Sequence, residues 1–256
     1  MIKIRVIFVG PEIEGKSFRK LEDLLPYQDL GVELSLSNNP FGPIHGQNDI
    51  EHSLGRAGMS LAAIEAERDG VDAIVIDSMG DTGLFECREA VTIPVVGMGD
   101  SSFRVAQMLG RKFGLITAGK WHGYALERTM KSYGIFSQFV GFEALNLQPF
   151  TDFEDSNTSL NQAIISAMNK LIDQDADTIV LGGSYFIGQE KNLSTLLADE
   201  KYKDLVVIDP LPLAIRFARM LVDAKLSQSK RIYATPTHAT PVIGYPLIQS
   251  TPGVAA

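Results

Sequence analysis

The sequence predicts an α/β fold made of two pseudosymmetric parallel-sheet lobes, each a flavodoxin-like half, with a ligand site in the cleft between them. Three observations lead there. Short β-branched runs alternate with longer stretches of helical period, which is how a parallel sheet covered on both faces reads in sequence. The second half of the chain repeats features of the first. The 256 residues, 45% apolar and 21% charged, suit a globular protein at the upper end of what one core serves.

Strands are expected at Lys3–Val9, Val32–Leu36, Ala73–Asp77, Pro94–Gly97, Phe113–Thr117, Phe139–Glu143, Thr178–Leu181 and Leu205–Ile208, with Gly, Pro, Asp or Asn marking their ends. Helices are expected at Asp49–Arg68, Leu84–Val91, Ser101–Leu109, Trp121–Tyr133, Ser159–Gln174 and Leu211–Ala224, where apolar residues recur at three- and four-residue steps. Residues 1–100 with 210–228 would form one lobe and 101–209 the other. Residues 229–256, rich in Pro and Thr, read as an arm over a neighbour, a lid across the cleft, or a disordered tail.

Asp72–Gly83 parallels Asp177–Gly188, sharing Asp, Ile, Val and the closing Gly at matched positions, and Phe103–Leu109 parallels Ile215–Leu221. The first pair reads strand, glycine loop, helix start. Such loops lie at the carboxyl ends of parallel strands, where ligands of open α/β sheets bind. Each also feeds a helix N-terminus, whose unpaired N–H groups suit a carboxylate or an imide oxygen.

Composition excludes several partners. Twenty-three basic against thirty-one acidic residues give a net charge of −8, which disfavours nucleic acid and anionic membrane. No apolar stretch approaches the roughly 18 to 20 residues of a membrane span. Met1–Val9 reads as a first strand rather than a signal peptide. The single cysteine, Cys87, rules out an intrachain disulfide and a cysteine-based metal cluster, fits a cytoplasmic protein, and is expected to pack as a small apolar residue. With no Walker A loop, dinucleotide signature or clustered His/carboxylate set, no metal or cofactor is expected. Size and class predict a homo-oligomer.

Val71–Leu84, continued by Arg88–Gly97, resembles the aspartate/glutamate/hydantoin racemase superfamily, especially its hydantoin and allantoin racemase branch. The similarity extends over Gly42-Pro43, Phe113–Thr117 and Ala176–Gly182. It implies two pseudosymmetric lobes and a cofactor-free removal and return of the proton on a carbon next to a carbonyl, performed in the family by two cysteines, one from each lobe. Those cysteines fall on Ser78 and Gly183, and the family's Asn-Pro-Asn-Thr after the first strand falls on Gly10-Pro11-Glu12-Ile13. A thiol of pKa about 8.5 can be tuned into a base, whereas an alcohol needs a neighbour to take its proton. The two-thiol mechanism therefore cannot operate.

Replacement chemistry has several candidates. Lys120 and His122 follow the strand Phe113–Thr117 and either suits proton abstraction. Tyr185 would donate to a developing enolate oxygen, or Ser78 and Ser184 with nearby amides would form an oxyanion hole. Gly10, Pro11, His45, Met79, Gly80, Asp81, Thr82, Gly83, Thr117, Gly182, Gly183 and Ser184 are expected around the substrate, Asp81 fixing its loop through backbone N–H groups. Asp77 reads as a cap of the following turn, His52 as a surface residue of its helix, His238 as part of the arm, and Trp121 as a pocket wall or a cover on the core. The function implied is a racemase or isomerase acting through an enolate-like intermediate on a small, anionic or imide-like molecule of the hydantoin, amino acid or dicarboxylate class. A decarboxylase of the same superfamily and a non-catalytic binding protein are the alternatives.

Overall fold

The structure, a computed structural model, describes residues 1–14, 17–29, 31–44, 48–147, 157–189, 193 and 199–236. His45 and His238, with the arm beyond residue 236, lie outside the described residues. In the first sheet β1 (Ile2–Phe8), β2 (Val32–Asn38), β3 (Ala73–Asp77) and β4 (Val95–Gly97) stand in the order β2-β1-β3-β4. In the second, β5 (Phe113–Thr117), β6 (Phe139–Ala144), β7 (Thr178–Leu181) and β8 (Val206–Ile208) repeat that order as β6-β5-β7-β8. All pairings between them are parallel, so the chain must cross over between strands. Among the described residues the α-helices are α1 (Leu21–Leu24), α2 (Asp49–Arg68), α3 (Leu84–Ala90), α4 (Met98–Leu109), α5 (Lys120–Ser132), α6 (Asn157–Ile172) and α7 (Pro210–Asp223). The expected strands are present with ends moved by two residues at most, and α4 starts three residues early, at Met98. The four-residue α1 is too short to leave a period in the sequence.

The two faces of each sheet feed different cores. Along β3, Ala73 and Val75 enter a core shared by both lobes, while Ile74 and Ile76 enter one under α2 and α3. Along β7, Val180 faces the shared core, and Ile179 and Leu181 pack with Ile164, Met168 and Leu171 of α6. Helix α4 leaves β4 and reaches β7 and β8; α7 leaves β8 and packs on β1, β3 and β4, with α4 and α7 in mutual contact. The lobes are thereby joined by exchanged helices. In the shared core Phe103 of α4 stacks on Phe113 of β5, with centroids 6.2 Å apart, and both are fully buried. Truncating such a side chain costs about 3–5 kcal/mol.

This alternation aims the site. Asp77 continues the series facing the other lobe, and Ser78 the series facing α2, as period-2 strands require. Residues after α7 fold back on the first lobe. The Gln228 side chain donates to the carbonyls of Val91 and Ile93, Lys230 Nζ donates to those of Arg88 and Glu89, and Tyr233 stacks on Phe85. Cys87 is buried in the core under α2, where burial pushes its thiol far up, as expected of a structural residue. Among the described residues no helix is long and apolar enough to cross a membrane.

Candidate active site

In the first lobe a serine is connected to a histidine that sequence reasoning placed on the surface. Helix α2 is capped by Asn48, whose Oδ1 accepts from Glu51 N–H at 3.1 Å, and His52 follows as the fourth helical residue. It is 8% exposed. The correction has a physical cause: Gly80 has no side chain, and a Cβ there would stand 2.5 Å from His52 Cε1, so the ring occupies the space that the glycine leaves. His52 Nδ1 hydrogen-bonds the Thr82 hydroxyl, and Thr82 Oγ1 lies 3.0 Å from Ser78 Oγ. His52 Nε2 is buried with no hydrogen-bond partner among the described residues. Burial lowers the His52 pKa from the ordinary 6.5, Arg56 adds to that, and Asp49 and Glu51 oppose it, so the ring is neutral at pH 7.

In the second lobe α5 starts after Gly119, and His122 turns inward, 9% exposed. Its Nδ1 lies 3.2 Å from the hydroxyl of Tyr185. That hydroxyl accepts from Ala118 N–H at 2.9 Å and donates to the Gly182 carbonyl at 3.3 Å. Burial, and then the charge of His52, bring the His122 pKa down to about 4. Burial drives the Tyr185 phenol upward against the Ala118 N–H, which keeps it protonated.

One guanidinium ties the two loops together. Arg19 Nε donates to Asp77 Oδ2 at 2.8 Å, Nη2 donates to the Ser184 carbonyl at 2.8 Å, and Nη1 reaches Asp23 at 3.4 Å. The Arg19 and Asp77 side chains are 3% and 0% exposed. Asp77 is therefore the ion-pair partner of Arg19 within the first lobe rather than a cap of its own turn, and Arg19 reaches the other lobe through the Ser184 carbonyl. Its neighbour is Ser78, and the neighbour of Ser184 is Gly183, so the paired turns meet at one junction. Arg19 escaped sequence reasoning because nothing in Phe18-Arg19-Lys20 distinguishes a buried guanidinium from an exposed one. His52 did leave a signal: with Gly55, Met59, Ala62 and Ala66 it extends the buried stripe of α2 by one turn.

Residues 18–218 match the Asp/Glu/Hydantoin racemase family. The chain belongs to that family. A hydantoin racemase from a Pseudomonas species is 28% identical over 190 residues, 74% of this chain and 74% of that protein. Among solved structures, allantoin racemase from Klebsiella pneumoniae is 20% identical with a TM-score of 0.83, covering 97% of this chain and 99% of that one. Allantoin racemase from Pseudomonas fluorescens is 22% identical with a TM-score of 0.82, covering 95% and 100%. As a member of a racemase family, this chain is an isomerase-class enzyme acting on a small molecule.

The other expected site residues of this racemase-family chain divide by position. Met79 is buried in the shared core. Gly10 accepts from the Asn38 side chain at 3.2 Å, and Pro11 beside it is half-buried. Thr117 Oγ1 donates to the Gly119 carbonyl at 3.1 Å, bracing the turn into α5. Gly83 caps the N-terminus of α3 at φ 75°. Lys120 is exposed and lines a separate cleft of about 430 Å³ with Tyr124, Phe142, Glu143, Ala144, Asn146 and Lys170. Trp121 is 78% exposed, so it neither walls the site nor covers the core; it projects from α5 with Tyr124 at its edge.

Asp81 fixes its loop, but through amides of α4 rather than its own. Its carboxylate accepts from Gly99 N–H at 2.9 Å, Asp100 N–H at 2.6 Å and the Tyr133 hydroxyl at 2.9 Å. Burial outweighs these donors and pushes its pKa from 3.8 up to about 7. The folded state then binds this proton more tightly than the unfolded chain does, so stability is lost as pH rises between those two values. We expect Asp81→Asn to remove a slope of up to about 1.4 kcal/mol per pH unit. Urea midpoints of both proteins at acid and neutral pH check this: parallel midpoints would exclude it.

Proposed function

We propose that this enzyme racemises a small cyclic ureide of the hydantoin or allantoin class, an imide-like molecule, by moving the proton on the carbon next to its carbonyl, with side chains alone. The observation that carries this reading is the chain Ser78–Thr82–His52. Ser78 occupies a family thiol position, and an alcohol becomes a base only when a neighbour takes its proton. Here the C–H bond breaks toward Ser78 Oγ, the Ser78 proton passes to Thr82 Oγ1, and that of Thr82 passes to His52 Nδ1. The neutral imidazole starts in the form that accepts. An enolate-like intermediate is left in the substrate, near loop and helix-start amides suited to an oxyanion. We place the activity in the cytoplasm and in a symmetric homo-oligomer, on the use of a single, buried cysteine and on chain size and class.

The test is to incubate enantiopure hydantoins, allantoin, amino acids and dicarboxylic acids with the protein in heavy water, following optical rotation and α-hydrogen exchange together. Exchange with loss of rotation for a ureide supports the proposal. Carbon dioxide release from a malonate-type acid would assign a decarboxylase, and tight binding without exchange a binding protein; either would overturn it.

A further inference from the structure

Racemisation needs a second group, on the face of the planar intermediate opposite the base, to return the proton. We infer that Tyr185 is that group, and that Gly183 is glycine because the phenol fills the space where its side chain would stand. This rests on the function proposed above. Matching the two halves of the repeat, Ser78 falls on Gly183 and Gly80 on Tyr185. A Cβ built on Gly183 would meet the Tyr185 ring and lie 2.6 Å from its hydroxyl. A Cβ built on Gly80 would meet the His52 ring. At these two matched positions one residue of each loop bears a hydroxyl and the other is glycine, in exchanged order, and in each lobe a histidine supports the hydroxyl: His52 through Thr82, His122 directly.

The electron and proton count closes. The Tyr185 O–H bond breaks as the new C–H bond forms on the second face, leaving a phenolate that accepts from Ala118 N–H and His122 Nδ1–H. His52 is left as the imidazolium, and exchange with solvent water returns both groups to their neutral forms. A phenol held protonated between two donors is suited to giving a proton to carbon. On this geometry Tyr185 is the acid that protonates the carbon rather than a donor to the enolate oxygen.

Enantiopure benzylhydantoin in heavy water tests the assignment with Tyr185→Phe and Gly183→Ala. For Tyr185→Phe we expect racemisation to fall by at least about 100-fold, while the enantiomer whose α-hydrogen faces Ser78 still exchanges with retention of configuration. Gly183→Ala, which must displace the ring, should behave alike. Equal loss of exchange and racemisation in Tyr185→Phe would return the phenol to an oxyanion role, and unchanged racemisation would remove it from the chemistry. Either overturns the inference while leaving the Ser78 relay standing. Absence of exchange in the wild-type protein overturns the relay and the inference together.

Discussion

Replacing Arg19 with methionine is expected to lower stability by about 3–5 kcal/mol, because it strands a buried carboxylate. Asp77 is fully buried, one of its oxygens already has no hydrogen-bond partner among the described residues, and the other is held by Arg19. Against a total stability of about 5–15 kcal/mol this is a large fraction. The cost belongs to the orphaned charge more than to the lost attraction. A double variant, Arg19→Met with Asp77→Leu, should therefore recover most of the loss, since replacing a buried pair by apolar residues is often neutral. Urea denaturation of both proteins measures this. A single variant within about 1 kcal/mol of wild type would mean that solvent or a rearranged partner satisfies Asp77, and that the loops do not depend on the guanidinium. The same variants report on assembly of the site, because Arg19 also holds the Ser184 carbonyl.

His52→Gln is expected to lower kcat by about 10²–10⁴-fold, the usual worth of a general base, with little change in KM. Glutamine keeps a group that can hydrogen-bond Thr82 but cannot accept a proton at neutral pH. Thr82→Val should cost a similar factor, and the double variant no more than the worse single one, because residues acting as one relay are not additive. Purified variants assayed by polarimetry give these numbers. Two multiplying losses would show that His52 and Thr82 act separately. Wild-type activity should fall on the acid side at a pH below 6.5, since burial lowers the His52 pKa and the charged imidazole cannot accept the proton.

The fold was legible in the sequence wherever burial is two-sided. β3, β5 and β7 are buried throughout, and their short apolar runs, each followed by glycine or a turn, left little other interpretation. The repeat between Asp72–Gly83 and Asp177–Gly188 anticipated two sheets of the same strand order. The candidate site was legible only in part. Ser78, Thr82 and Tyr185 lie on the loops that the repeat marks, and His122 lies in the first turn of the helix that follows β5, so position alone pointed to them. His52 lies 26 residues before Ser78 in the sequence, on a different element, and its inward turn depends on the absence of a side chain at Gly80. Arg19 is further from any pattern: its burial follows from Asp77 and the Ser184 carbonyl, which only tertiary structure brings to one place. Local periodicity can mark a helix face, but it does not identify which polar residue will meet a partner from the other lobe.

Ser78 works as a base because Thr82 and His52 take its proton. The most direct measurement of that relay is the initial rate of α-deuterium incorporation into enantiopure benzylhydantoin, followed by NMR from acid to neutral pH for wild type, Ser78→Ala and His52→Gln. The wild-type rate is expected to rise to a plateau with a midpoint below pH 6.5, and the variants to stay low without that rise. Variants that exchange as fast as wild type, with the same pH profile, would contradict the relay.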